Sequence, residues 1–428
     1  MSDSSIQQLN WGFISTAEIG NKNASGIKHT SNGILHTISS RTIDKANQFK
    51  TKHSFLHSTD NYNDVLYDSN IDIVYIPTPT THREKYGILA AQQHKHILIE
   101  KPVASTAQSL YELINACIQN NVVLMDGVMF MHHPRLYYIR SLLSNQSIFG
   151  DIRTVHCSFT FPGMHDPDYI NSNIRLDCRL EPLGALGDLA WYTIRFILFT
   201  YSYQTPINVT CNAVYYDRAT NKYTYTAEHS RNELLGVMTE LTCVLTFRNG
   251  STGTFYCSFN NQFRQSAEIN GTLQSIRMND FVIPDHESYA TFDIYRQIID
   301  VAKGETRSDN KNNIVDHTVV TIKTKLPQHV LMMDTIQNLV LQLKHQQSIP
   351  SNHYGYIEFA AERFNDANVT IDADTDDQLQ LLKNYEYTLI NWSTMSYLTQ
   401  CVCDAVIESS YNGGAPVIVQ YKPIPNSI

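Results

Sequence analysis

The first third of the chain alternates short, almost wholly apolar runs with amphipathic stretches of about ten to fifteen residues. The apolar runs are Leu9–Ser15, Leu35–Ser39, Ile71–Ile76, Ile97–Glu100 and Val122–Asp126. Between them, helical patterning covers Thr16 to about Lys28, Ile43–Thr51, His82–Gln93 and Ser105–Gln119. Strands that are near-continuously apolar, rather than apolar at every second position, are those buried on both faces. A parallel sheet with crossover helices on either side follows. Residues 9–133 are thus predicted to form an α/β domain of the Rossmann kind.

After His133-Pro134 the period changes. Ile152–Phe161 alternates between two kinds of position, as do Asn208–Tyr216, Thr239–Phe247, Gly253–Phe259 and Gln265–Asn270, and Asn249-Gly250 is a hairpin turn. A mainly antiparallel sheet with few helices leaves one face open to a partner. Helices are predicted at Gln328–Lys344 and Trp392–Ser410. An α+β C-terminal domain is assigned to 134–346 and 386–428. The polar stretch 347–385, with Asp and Asn concentrated in Asp366–Asp377, reads as an inserted, partly mobile surface segment.

Composition narrows the class. The 428 residues suffice for two cores, and 42% hydrophobic with 17% charged residues is a globular balance. A formal net charge of −9 opposes nucleic-acid binding, which needs a basic surface. No run nears the roughly 18 apolar residues of a membrane span, and the polar start Met-Ser-Asp-Ser-Ser-Ile-Gln-Gln is no secretory signal. The eight cysteines show no pairing pattern, and Cys117, Cys211, Cys243 and Cys257 sit in apolar runs. Free buried thiols in a reducing cytoplasm are expected. His94-x-His96, His132-His133 and Cys401-x-Cys403 lack the converging third and fourth ligands of a metal site, so no metal is expected.

Three places carry candidate chemistry. The first strand-to-helix turn, Ser15-Thr-Ala17-Glu-Ile-Gly20, lies where a G-x-G-x-x-G turn would hold a dinucleotide pyrophosphate on a helix N-terminus, with small residues replacing two glycines. Strand two ends in Ser39-Ser40-Arg41-Thr42, with Lys45 a turn later. An NAD site usually places Asp or Glu there, whereas Ser40, Arg41 and Lys45 suit the 2′-phosphate of NADP. Finally, Glu100-Lys101-Pro102 ends a strand, and Asp188 and Tyr192, four apart, share a helix face. A lysine, a carboxylate and a phenol can handle a proton at an alcohol or carbonyl. A free tyrosine titrates near 10, and a neighbouring ammonium such as Lys101 favours its phenolate.

The chain resembles the Gfo/Idh/MocA oxidoreductases, in the branch of dimeric dihydrodiol dehydrogenases and NADP-dependent D-xylose dehydrogenases. The resemblance is carried in order by Trp11-Gly-Phe-Ile-Ser-Thr-Ala-Glu-Ile-Gly20, Ser40-Arg41, Ile76-Pro-Thr-Pro-Thr-Thr-His82, Glu100-Lys-Pro102, Asp126-Gly-Val-Met-Phe-Met-His-His-Pro134, Asn173-Ile-Arg175 and Leu183-Gly-Ala-Leu-Gly-Asp-Leu-Ala-Trp-Tyr192. It implies an NADP (or NAD) site formed by Ser15, Thr16, Ala17, Ile19, Ser40, Arg41, Lys45, Thr78, His82, Glu100 and Lys101. It also implies a cis Lys101-Pro102 bond and a homodimer paired through the C-terminal sheet. Tyr192 is the implied acid/base, assisted by Lys101 and Asp188, acting on a carbinol carbon of a sugar, polyol or trans-dihydrodiol. Arg175 and His156 are implied substrate contacts. Thr80 stands where many relatives have Asn, and Ala190 where Gly is frequent. The alternatives are an NADP-binding sensor without turnover and a protein-binding scaffold; a sensor often loses the lysine or the helix residues, and both are kept here.

Overall fold

The structure, a computed structural model, describes residues 7–226, 236–298, 314–345, 369–372 and 391–424. Its N-terminal part runs β1 (Leu9–Ile14), α1 (Ile19–Lys28), β2 (Gly33–Ser39), α2 (Ile43–His53), β3 (His57–Thr59), α3 (Tyr62–Leu66), β4 (Ile73–Ile76), α4 (Thr80–Gln92), β5 (His96–Ile99), α5 (Ala107–Gln119) and β6 (Leu124–Asp126). The six strands pair in parallel in the order β3-β2-β1-β4-β5-β6, reversing direction of build beside β1. That reversal opens a crevice at the carboxyl ends of β1 and β4, where α/β sheets of this kind take ligands. The all-apolar runs are buried as their pattern requires: Ile73, Val74, Tyr75, Ile76, Ile97, Leu98 and Ile99 are each fully covered. The sequence pattern missed β3 and α3, whose three and five residues are too short for a period to repeat twice.

The remainder runs α6 (Arg135–Ser144), α7 (Gln146–Phe149), β7 (Ile152–Thr160), α8 (Pro167–Ser172), α9 (Trp191–Thr200), β8 (Asn208–Asp217), β9 (Lys222–Tyr225), β10 (Val237–Thr246), β11 (Thr252–Ser258), β12 (Arg264–Gly271), β13 (Ser275–Met278), β14 (Tyr289–Ile298), β15 (Ile314–Thr324), α10 (Gln328–His345), β16 (Val369–Asp372), α11 (Trp392–Tyr411) and β17 (Val417–Ile418). The strands form one 11-stranded sheet, β16-β15-β14-β13-β12-β7-β11-β10-β8-β17, with β9 on β8. Its pairs are antiparallel except β7 with β11. Alternation sends Val155, Cys157 and Phe159 of β7 inward against α9, leaving His156 exposed. The predicted insertion 347–385 lies outside the described residues except for β16, which pairs with β15 at the sheet edge.

The two parts are braced together. Helix α10 packs on α1, and α11 packs on α5, α9 and β6. Between them sits a fully buried ion pair: Arg195 of α9 donates from Nη2 to Asp126 Oδ2 at the end of β6 (2.6 Å) and from Nε to Thr399 Oγ1 of α11 (2.9 Å). A buried charge pair is sustained only when its remaining polar atoms are also bonded. Here Trp191 Nε1 also donates to Asp126 (3.3 Å). Helix α9 is thereby pinned to the Rossmann sheet three residues beyond Tyr192.

Candidate active site

Lys101 leaves the end of β5 through a cis bond to Pro102 and meets the segment entering α9. Two glycines let that segment come close. A Cβ on Gly184, at φ +51°, would sit 2.3 Å from the Met238 carbonyl, and one on Gly187 would lie 2.9 Å from Pro102 Cγ. The turn Leu186–Ala190 is widened to π geometry, a local distortion frequent at functional sites. The sequence pattern placed Asp188 on a regular helix face, and the wide turn is what presents it. Lys101 Nζ donates to Asp188 Oδ1 (2.9 Å) and to its backbone carbonyl (2.6 Å). The same ammonium stands 4.6 Å from the centre of the Tyr192 ring. Lys101 therefore lies between the carboxylate and the phenol.

Arg175 completes the group, its Nε 2.7 Å from Asp188 Oδ2. Burial opposes ionisation of Asp188, but Arg175 and Lys101 together hold its carboxyl well below the usual carboxylate range. Burial would lower the Lys101 ammonium, and Asp188 with Tyr192 more than offsets it, so Lys101 is raised and stays charged. Tyr192 moves the other way from the phenolate expectation. Burial raises it, Glu100 and Asp188 add to the rise, and the pull of Lys101 does not reverse it. At neutral pH the chain holds a phenol here. Phe130 and Phe159 wall the ring at 6.1 and 5.7 Å between centroids.

At the crevice, Ser15 adopts φ 102°, the left-handed conformation for which a glycine is expected at this point. Its N–H donates to the Ser39 carbonyl (2.9 Å), which draws the ends of β1 and β2 together. Thr16 and Ala17 are half-buried, Ile19 is exposed, and Glu18 at the start of α1 makes no side-chain cap bond. The Gly20 and Asn21 N–H groups turn back to the Ala17 and Glu18 carbonyls (2.8 and 3.0 Å), and the positive end of the helix dipole there suits a phosphate. Ser40 is buried with its hydroxyl 3.2 Å from Thr16 Oγ1, while Arg41 and Lys45 are exposed beyond it. Thr78, at the carboxyl end of β4, is buried with an unpaired hydroxyl, and His82 is exposed on the first turn of α4. A left-handed small residue, an uncapped helix and an unpaired buried hydroxyl at one crevice fit a dinucleotide.

Glu100 and His156 are placed differently. Glu100 is buried in the N-terminal core, where its Oε1 accepts from Tyr75 Oη (2.7 Å) and Asn23 Nδ2 (3.4 Å), and burial raises its carboxyl. His156 is a correction. It bonds Thr254 Oγ1 (2.6 Å) on the open face of the sheet, opposite to the face Phe159 turns to Tyr192, so it does not join the cluster. Neighbours on a strand point to opposite faces, which the pattern showed without revealing which face held the chemistry. His96 is a core group whose Nδ1 accepts from the Val123 N–H (3.1 Å), lowered to about 4 by burial, and His132 stacks on Trp392 at 4.5 Å. Among the described residues no group of three metal-binding side chains occurs, and all eight cysteines are free, with only Cys178 exposed.

Sequence reasoning missed three residues. Tyr62, on the short α3, is raised by burial and by Tyr86, while Arg41 and the Ser15 hydroxyl pull it down, so it borders the crevice. Glu181 bonds the first turn of α4. Arg195 carries the brace described above. None sits in a recognisable motif, and only the tertiary packing brings them to their partners.

The fold and crevice define a dinucleotide-binding α/β domain joined to an open-sheet domain. Residues 9–128 match the oxidoreductase family with an NAD-binding Rossmann fold, and residues 138–277 match the GFO/IDH/MocA C-terminal domain. The chain belongs to the Gfo/Idh/MocA oxidoreductases, an NAD(P)-binding family. A trans-1,2-dihydrobenzene-1,2-diol dehydrogenase from Danio rerio is 26% identical over 212 residues, 49% of this chain and 61% of that protein. The enzyme of the same name from Sus scrofa is 22% identical over 266 residues, 62% of this chain and 72% of its own. Among solved structures, a 3-ketoreductase from Actinomadura kijaniata, in complex with NADP and TDP-benzene, superimposes with TM-score 0.68 at 18% identity, covering 94% of this chain and 98% of that one. The aldose-aldose oxidoreductase from Caulobacter crescentus gives TM-score 0.68 at 15% identity, over 96% of this chain and 100% of that one. Among the described residues no helix is long and apolar enough to cross a membrane.

Proposed function

We propose that the protein is an NADP-dependent oxidoreductase that interconverts a carbinol and a carbonyl carbon on a sugar, polyol or trans-dihydrodiol. The observation that carries this reading is Lys101 held between Asp188 and Tyr192. When bound, the nicotinamide supplies or accepts the hydride. In the reducing direction the Tyr192 phenol gives its proton to the carbonyl oxygen as the alcohol forms. Lys101 then stabilises the phenolate left behind, and Asp188, ionised by its two cations, keeps that ammonium in place. In the oxidising direction the substrate hydroxyl gives its proton to the Tyr192 phenolate as the hydride leaves. The raised phenol keeps Tyr192 in the proton-donating form that carbonyl reduction needs at neutral pH. Arg175, tied to Asp188 through Nε and still part-exposed, is placed to contact substrate oxygens.

Ser15, Thr16, Ala17 and Ile19 would hold the pyrophosphate, with Thr78, His82 and Lys101 toward the nicotinamide. Ser40, Arg41 and Lys45 would hold a 2′-phosphate, because no carboxylate ends β2 to bond a ribose 2′-hydroxyl. Two copies would pair through the open sheet face. The experiment is a screen of aldoses, polyols and trans-dihydrodiols with NADP⁺, and of the matching carbonyls with NADPH. Turnover is expected on one of these classes; stoichiometric coenzyme binding without turnover on any would favour a sensor. In the same assay Arg41→Ala should raise the KM for NADP about ten- to a hundredfold while leaving NAD nearly unchanged. Equal losses would remove the 2′-phosphate assignment.

A further inference from the structure

Helix α4 begins against Pro79, which has no N–H and no side-chain acceptor with which to cap it. Its first turn is capped instead from the second domain, by residues 179–181. Glu181 Oε1 accepts from the Thr80 N–H (3.1 Å) and Oε2 from Thr80 Oγ1 (2.5 Å). The Leu180 carbonyl accepts from the Thr81 N–H (3.3 Å), and the Arg179 carbonyl from Thr81 Oγ1 (3.1 Å). A carboxylate at a helix N-terminus is favoured by the dipole as well as by the bonds.

Arg83, buried beneath this contact, extends it. It donates from Nε to the Thr78 carbonyl (2.8 Å) and from Nη1 to Thr80 Oγ1 (2.9 Å) and the Pro102 carbonyl (2.5 Å). Its Nη2 lies 3.7 Å from Glu181 Oε1. The carboxylate thus touches the turn that follows β4 and, through Arg83, the residue after Lys101. At its other end the same segment carries Arg175, paired with Asp188. One short stretch of the second domain is held by ion pairs at both ends, one at the crevice and one at the Lys101 cluster.

We propose that Glu181 is a positioning residue, a latch that fixes the segment 173–181 on the Thr78–Thr80 turn and so sets Arg175 and Asp188 over Lys101. This rests on the reading above that the turn faces the coenzyme and that Arg175 faces the substrate. Assembly of the substrate site then depends on a contact with the coenzyme-binding domain that touches neither ligand.

The test uses Glu181→Ala and Glu181→Gln in the full chain. Isothermal titration with NADPH, steady-state kinetics and limited trypsin cleavage after Arg175 and Arg179 are compared with thermal melting. In Glu181→Ala the substrate KM should rise about tenfold with kcat falling less, the size expected for losing charged hydrogen bonds. NADPH affinity should change less than about threefold, and cleavage should accelerate about tenfold. Glu181→Gln, which keeps one acceptor, should recover most of the KM. A folded Glu181→Ala with wild-type KM and wild-type cleavage overturns the proposal, as does a lowered melting point with neither change. If Glu181→Ala does not fold, Thr80→Val removes one donor from the opposite side and should show the same split at smaller size; an unchanged KM there also overturns it. If the wild-type protein turns over nothing, the oxidoreductase reading fails on its own, and the cleavage rates still decide the latch.

Discussion

The two faces of the 11-stranded sheet are built from alternate residues of the same strands, yet they differ in kind. On the inner face Phe159 of β7 packs against Tyr192, and Val155, Cys157, Phe255 and Cys257 are buried beside α9. On the outer face the intervening residues are His156, Ser158, Tyr256, Glu268 and Arg277. There they line a depression of about 520 Å3, with Arg277 Nη2 3.1 Å from Glu268 Oε2. The inner face supplies an apolar wall that raises a phenol, while the opposing charges of Lys101, Arg175 and Asp188 keep one another ionised against it; the outer face is polar. A shift of one residue along β7 would exchange them. Chemistry and assembly are therefore predicted to be separable by mutation.

The largest effect is expected on the inner face. Tyr192→Phe should lower kcat by about a hundred- to ten-thousandfold, the usual span for losing a general acid, while NADPH binding by titration stays unchanged. A variant with normal turnover would remove Tyr192 from the mechanism. Next in size is the brace behind it. Asp126→Ala leaves Arg195 charged and fully enclosed, so urea denaturation should show a loss of about 3–5 kcal/mol, whereas the same measurement on Arg277→Ala should show under about 1 kcal/mol, its ion pair being half exposed.

A pH profile separates the faces more finely. Because Tyr192 is raised above the ordinary phenol value, its protonated form persists through neutral pH and beyond. Carbonyl reduction should be flat across neutral pH and decline only in strong alkali, and alcohol oxidation should climb with pH over the same range. A reduction rate that falls between pH 6 and 8 would assign the proton to another group. The smallest effect belongs to the outer face: His156→Ala should leave kcat within about twofold. If the sheet pairs two copies, Arg277→Glu should move the sedimentation profile toward monomer with kcat unaltered; loss of kcat in either variant would join faces that the structure keeps apart.

Much of the fold was legible. Apolar runs without alternation identified β1, β2, β4, β5 and β6 to within a few residues, and alternation identified β7, β8, β10, β11 and β12. β9, β13, β14, β15 and β16 were missed, and β3 and α3 were too short to show a period. At the site, Lys101, Asp188, Tyr192 and Arg175 stood in recognisable segments and do converge. His156 was legible as a strand residue but not as one facing outward, since alternation gives parity without direction.

The chain by itself determined residue types and local periods: where strands form, which turn is small enough for a phosphate, and that a lysine, a carboxylate and a phenol are present. Tertiary structure alone decided the charges those groups carry and the partners that hold them. Arg175 lies 13 positions before Asp188 and Lys101 lies 87 before it. The fold brings both cations to one carboxylate, with Gly187 close against Pro102, so that Asp188 is held ionised and Tyr192 is left buried as a phenol. Protonation follows from burial and from charges a few ångströms away in space, and neither is a property of neighbours in sequence.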